Sequence, residues 1–121
     1  MKTLNTAQAA PAIGPYSHGV VTGNLLYTSG QLAADKNGDL AQGIVAQATQ
    51  VMENLKAIAT AAGTDLTRTV KTTCFLADMN DFATFNEVYA KYFTEKPARS
   101  CIQVARIPKD ALLEVEAIIE V

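Results

Sequence analysis

One histidine (His18), two cysteines (Cys74 and Cys101), and interspersed carboxylates and basic groups supply most of the reactive chemistry of this 121-residue chain. A single histidine rules out a multi-histidine metal site, and no cluster of cysteines and carboxylates compensates. A serine–histidine–acid arrangement would have to use His18, which reads as an exposed loop or strand-edge residue. Each cysteine sits in an apolar or β-branched run, as buried free thiols do. There is no Cys-x-x-Cys pair for metal or redox work, no Gly-x-x-x-x-Gly-Lys-Ser/Thr and no Gly-x-Gly-x-x-Gly. No cofactor is expected. Any catalysis must rest on arginine, glutamate, tyrosine, hydroxyls, backbone groups and water.

Composition narrows the partners. The formal net charge is −2 with acids and bases interspersed, which argues against a nucleic-acid or anionic-membrane binder built on a basic patch. No apolar run approaches the ~20 residues needed to span a bilayer, and Met1–Pro11 lacks the apolar segment of a signal peptide. The cytoplasm is the expected compartment. No repeat, low-complexity tract or linker divides residues 1–121, so one domain is expected.

Hydrophobic periodicity supplies the elements. Two short β-type runs, His18–Thr22 and Leu25–Ser29, flank Gly23-Asn24 as a hairpin. Before them, Ala7–Tyr16 holds Pro11, Gly14 and Pro15 and reads as irregular. From Ile44 to Ala62, apolar residues recur at steps of three and four, marking one helix face, and Gly63 is a stop signal. Thr67–Leu76 has strand composition. A second helix runs from a cap at Asn80 or Asp81 to about Tyr92. Arg99–Arg106 and Leu112–Val121 are strands about a Pro108-Lys109-Asp110 turn. The order β-β-α-β-α-β-β predicts a two-layer α+β sandwich with a mixed sheet and two helices on one face.

Alternation in the last two strands predicts what lies on the other face. Leu113, Val115, Ala117 and Ile119 should meet the helices. If Ile102 and Val104 do the same, then Arg99, Cys101, Glu114 and Glu116 lie together on the open face. That face mixes apolar and charged residues. It is either an ordinary exposed surface carrying weak ion pairs or a subunit interface with a few charges at a ligand cleft.

Several segments resemble the reactive-intermediate deaminase (RidA, or YjgF) family. The most specific is Pro97-Ala98-Arg99-Ser100-Cys101-Ile102-Gln103-Val104-Ala105-Arg106-Ile107, followed by Glu114-Val115-Glu116-Ala117. Ile13-Gly14-Pro15-Tyr16, Ser29-Gly30-Gln31 and Phe85-Asn86-Glu87-Val88-Tyr89 are similar to further family segments, in order along nearly the whole chain. The resemblance implies a chorismate-mutase-like fold and a homotrimer with clefts between subunits. It implies an enamine/imine deaminase that hydrolyses 2-aminoacrylate and related 2-imino acids to 2-keto acids and ammonia, without a cofactor. Carried over by position, Arg99 binds the substrate carboxylate, Glu114 orients or activates water, and the Cys101 carbonyl helps hold that water. Tyr16, Ser29, Gly30 and Asn86 line the cleft. His18 stands where many members carry glutamine. Two rivals remain: a 2-keto acid sensor without turnover, and an RNA-acting or chaperone-like protein.

Overall fold

The computed structural model describes all 121 residues. Six strands, β1 (Lys2–Leu4), β2 (Gly19–Thr22), β3 (Leu25–Thr28), β4 (Thr69–Leu76), β5 (Ala98–Gln103) and β6 (Leu113–Glu120), form one sheet in the order β1-β2-β3-β6-β4-β5. Two helices, α1 (Ile44–Ala61) and α2 (Phe82–Tyr92), cover one face. The mixed α+β sandwich is as expected. The additional strand is β1, whose three residues carry no periodic signal of their own. It exists by pairing with β2.

Every strand pair is antiparallel except β4–β5, which α2 connects as a crossover. Strand β6 is antiparallel to both β3 and β4. The two strands joined through α1 therefore run the same way, with β6 inserted between them. The core lies between this sheet and the helices: Val51, Met52, Leu55 and Ile58 of α1 and Phe85 and Val88 of α2 meet Leu113, Val115, Ala117 and Ile119 of β6.

Helix α1 ends as its sequence directs. Gly63 takes a φ of 82°, and the amide of Thr64 returns to the Ala59 carbonyl, closing the orphan groups of the last turn. The start of α2 departs from expectation. Asp81 holds the N-cap position, but its side chain makes no capping hydrogen bond. A short turn, Met79–Asp81, precedes the helix, and the Asp78 carboxylate accepts the Asn80 N–H.

The larger correction concerns β5. Its register sets Arg99 against Thr72 and Cys101 against Cys74. Those β4 residues pair in turn with Ala117 and Val115. Residues paired across a sheet share a face, so Arg99 and Cys101 lie on the helix side, not on the open face with Glu114 and Glu116. Ile102 faces away from the helices and is 49% exposed. The condition that Ile102 faces the helices failed because β5 is an edge strand beside α2. There an arginine can lay its stem along apolar surface while its head stays wet.

Helix α1 also buries two amides on its core side. Asn54, fully buried, donates to the carbonyls of Leu32 (3.1 Å) and Ala34 (2.8 Å). Gln47 donates to Ala41 O (3.0 Å) and accepts the Leu112 N–H (2.9 Å). These bonds tie the irregular segment after β3 and the entry to β6 onto the helix. Asn54→Ala should strand the Leu32 and Ala34 carbonyls and cost about 1–3 kcal/mol. Denaturant unfolding would measure it, and a loss below about 0.5 kcal/mol would remove this staple from the account.

Candidate active site

The residues singled out by sequence fall into two separate groups. The first lies where β3 meets β6. The ladder runs regularly through Tyr27–Ile118, then resumes at Gln31–Val115 with one extra residue on the β3 side. Within this bulge the Thr28 hydroxyl accepts the Ala117 N–H at 3.0 Å, replacing a ladder bond. Ser29 turns toward β2: its N–H donates to His18 O at 2.9 Å and its hydroxyl to Ser17 O at 2.7 Å. Bulges of this kind re-aim side chains near functional sites.

Gly30 sits within the bulge directly against the Glu114 carboxylate. A Cβ there would overlap Glu114 Oε2, so only glycine leaves the carboxylate in place. Glu114 lines a cavity of about 410 Å³ together with Tyr16, His18, Ser29, Gly30 and Gln31, and with Lys109 from the turn before β6. Burial, and secondarily the charge of Glu116, pushes the Glu114 carboxyl above its ordinary range. A carboxylate in that condition is a better base than one in water.

The second group lies on the helix side at the β5 edge. Arg99 donates from Nη1 to Asn86 Oδ1 at 2.7 Å. Its guanidinium carbon lies 4.8 Å from the Tyr89 ring centre and 5.4 Å from that of Phe82. The Tyr89 hydroxyl is in turn fixed by Thr72 at 2.7 Å. The chain's ion pairs are Arg68–Glu120 and Arg106–Asp110, so Arg99 has no carboxylate partner within the chain. Its guanidinium lies over aromatic rings, with donors free for a planar anion. Cys101 lies two residues on, along the same face. Burial raises its thiol above the ordinary value, and the Cys74 thiol is pushed up to about 12. Both stay protonated at neutral pH, which suits a backbone role for Cys101 better than a nucleophilic one.

Tyr16, Ser29, Gly30 and Glu114 are thus brought together, as are Arg99, Asn86 and Cys101. The chain does not unite the two groups: β4 intervenes, and they occupy opposite faces. Gln31, Lys109 and His18 are cavity residues that the sequence did not single out for the site. Lys109 and Asp110 have positive φ values of 61° and 53°; the sequence marks this turn, but nothing in it signals the strained backbone without glycine or the cavity position of Lys109. His18 is only 3% exposed, contrary to the exposed position expected. Both ring nitrogens have backbone partners that no local pattern reveals.

The comparisons decide the family. The model described as endoribonuclease L-PSP matches residues 6–121. The chain belongs to this family. A Salmonella typhimurium protein named 2-iminobutanoate/2-iminopropanoate deaminase is 52% identical over 97% of this chain and 95% of its own. An Escherichia coli K12 protein of the same name is 50% identical with the same coverage. The structure of E. coli TdcF with bound serine superposes with a TM-score of 0.96 at 45% identity, covering 100% of this chain and 99% of that one. RidA from an Antarctic Psychrobacter gives 0.97 at 44% identity, with both chains fully covered. The L-PSP family is the one whose members carry the RidA and YjgF names, so the resemblance read from the sequence holds.

The state of Glu114 can be tested by pH. Its folded form holds the proton more tightly than the unfolded chain, so the neutral carboxyl contributes stability that is lost as pH rises through the folded-state value. Glu114→Gln should therefore be more stable than the parent at pH 7. The difference should close below about pH 4, where the parent's carboxyl is neutral in both states. Thermal melts at several pH values would show it, and a gap independent of pH would contradict the burial.

Proposed function

We propose that this protein is a 2-iminobutanoate/2-iminopropanoate deaminase, converting 2-imino acids and their enamine tautomers to 2-keto acids and ammonia. One observation carries this reading: the chain presents a guanidinium without a carboxylate partner of its own and, apart from it, a partly buried carboxylate with raised proton affinity. Those are the two groups that hydrolysis of a carboxylate-bearing C=N bond needs. Relatives at about half identity over nearly the full length bear that name.

The two groups meet when copies of the chain associate. We read the assembly as a trimer with its open sheet faces inward. That face carries Tyr27 and Ile102, 43% and 49% exposed, beside the half-buried Phe75 and Ile118, an apolar surface of the sort that subunits cover. Arg99, Asn86 and Cys101 of one copy then face Tyr16, Ser29, Gly30 and Glu114 of the next.

In the shared cleft Arg99 takes the substrate carboxylate through a bidentate fork, while Asn86 and the aromatic rings fix its plane. This places the C=N carbon near Glu114. The imine enters with its nitrogen protonated. Glu114, with the Cys101 carbonyl, orients a water molecule and accepts its proton as oxygen bonds to carbon and the C=N π pair moves to nitrogen. Glu114 then returns that proton to the amine of the carbinolamine. The C–N bond breaks as a hydroxyl-oxygen pair forms C=O, ammonia leaves, and the hydroxyl proton passes to Glu114 or water as the keto acid departs. Such imines hydrolyse unaided, so a modest lowering of the barrier suffices; each tenfold gain needs about 1.4 kcal/mol. No helix is long and apolar enough to cross a membrane. Two free thiols fit a reducing compartment, and we place the protein in the cytoplasm.

The family model's description raises RNA cleavage as a second reading. The chain has little to perform it with. Its only histidine is buried with both nitrogens bonded, and its net charge is −2.

With 2-aminoacrylate generated in situ by a serine dehydratase, the protein should accelerate pyruvate release. Arg99→Lys keeps the charge but loses the fork. It should lower kcat/KM by about 10- to 100-fold, corresponding to roughly 1.5–3 kcal/mol for a hydrogen bond to a charged group. Full activity of that variant would refute the anchoring role. Absence of acceleration by folded parent, with saturable 2-keto acid binding, would leave a metabolite sensor instead.

A further inference from the structure

We infer that His18 is a positioning residue for the Tyr16 side of the cleft: its ring, protonated on Nε2 and accepting at Nδ1, ties the loop from Ala10 to Ser17 to the N-terminal segment. This rests on the cleft proposed above, but the contacts that support it do not.

The Thr6 N–H donates to His18 Nδ1 at 3.1 Å, so Nδ1 carries no proton. Nε2 lies 2.6 Å from the Ala10 carbonyl, which can only accept, so Nε2 must carry one. The two bonds specify a single tautomer. The backbone of His18 is equally committed: its N–H donates to Asn5 Oδ1 at 3.0 Å, and its carbonyl accepts the Ser29 N–H at 2.9 Å. One residue thereby joins the N-terminal segment, the loop and the bulge that sets Gly30 against Glu114.

The loop needs such ties. It is held at Ala10 by the His18 ring and at Ser17 by the Ser29 hydroxyl. Between them, the only hydrogen bond of its own backbone is Tyr16 N–H to Gly14 O at 2.9 Å. Tyr16 is 49% exposed at the cavity wall. Where its ring stands is therefore decided mainly by the two end ties.

Because His18 is the only histidine, its ring nitrogens can be assigned by ¹⁵N NMR without ambiguity, alongside amide exchange of Thr6 and residues 12–17. The expected result is the Nε2-protonated tautomer at pH 7.5. His18→Gln supplies an amide donor and acceptor and should retain the amide protection. His18→Leu should increase amide opening of residues 12–17 and weaken 2-ketobutanoate binding about fivefold or more, with a smaller change in kcat.

An Nδ1-protonated tautomer at pH 7.5 would overturn the inference, as would opening in His18→Gln, or unchanged amide protection of residues 12–17 in a folded His18→Leu. If His18→Leu does not fold, the parent and the glutamine variant decide. NMR and exchange require no turnover. A protein that shows the expected tautomer and protection but does not deaminate imines would lose the proposed function and keep this inference.

Discussion

The pairing of β6 on both sides is the constraint from which the rest follows. Its neighbours hold it in register against β3 and β4, and side-chain alternation does the sorting. Leu113, Val115, Ala117 and Ile119 enter the core while Glu114 and Glu116 go to the opposite face. A slip of one residue would exchange these sets, burying carboxylates under the helices and removing Glu114 from Gly30. The hydrophobic effect that fixes the core therefore also fixes the position of the candidate base. The Gln31–Val115 bridge beyond the bulge extends the same control to the cavity wall.

Away from β6, the site is placed by buried polar groups more than by apolar packing. Asn54 and Gln47 hold loops to α1, His18 holds the N-terminal segment, and Thr72 with Tyr89 fixes one of the rings beneath Arg99. Each group satisfies backbone or hydroxyl partners that would otherwise be stranded in a dry interior. Such groups specify one loop geometry, which apolar packing alone tolerates less strictly.

Much of this was legible in the sequence, and the misses share a cause. The α1 stripe, its glycine stop, the β2–β3 hairpin and the β6 alternation are short-range periodic signals, and each appears where expected. β1 is too short to have a period. Asn54 and His18 owe their burial to partners about 20 and 12 residues away, and no local window contains them. The assignment of β5 faces failed for a related reason. Alternation states which residues share a side, but which side is set by the strand's neighbours, and Arg99 faces the helices because its register partner Thr72 does. The family resemblance picked out residues that the structure gathers into two clusters. Their separation across the sheet could only come from the register.

Under the proposed function, that separation makes association between copies part of the chemistry. A lone chain would hold a carboxylate anchor on one side and a base on the other, with β4 between them. The most direct measurement is subunit mixing. Arg99→Ala and Glu114→Gln would each be purified, shown to be folded and inactive, then dissociated, combined in equal amounts and reassembled. If each cleft takes Arg99 from one copy and Glu114 from its neighbour, random mixing should restore about a quarter of parental activity through clefts holding both native residues. Mixed assemblies, confirmed by mass, that stay inactive would contradict a site shared between subunits.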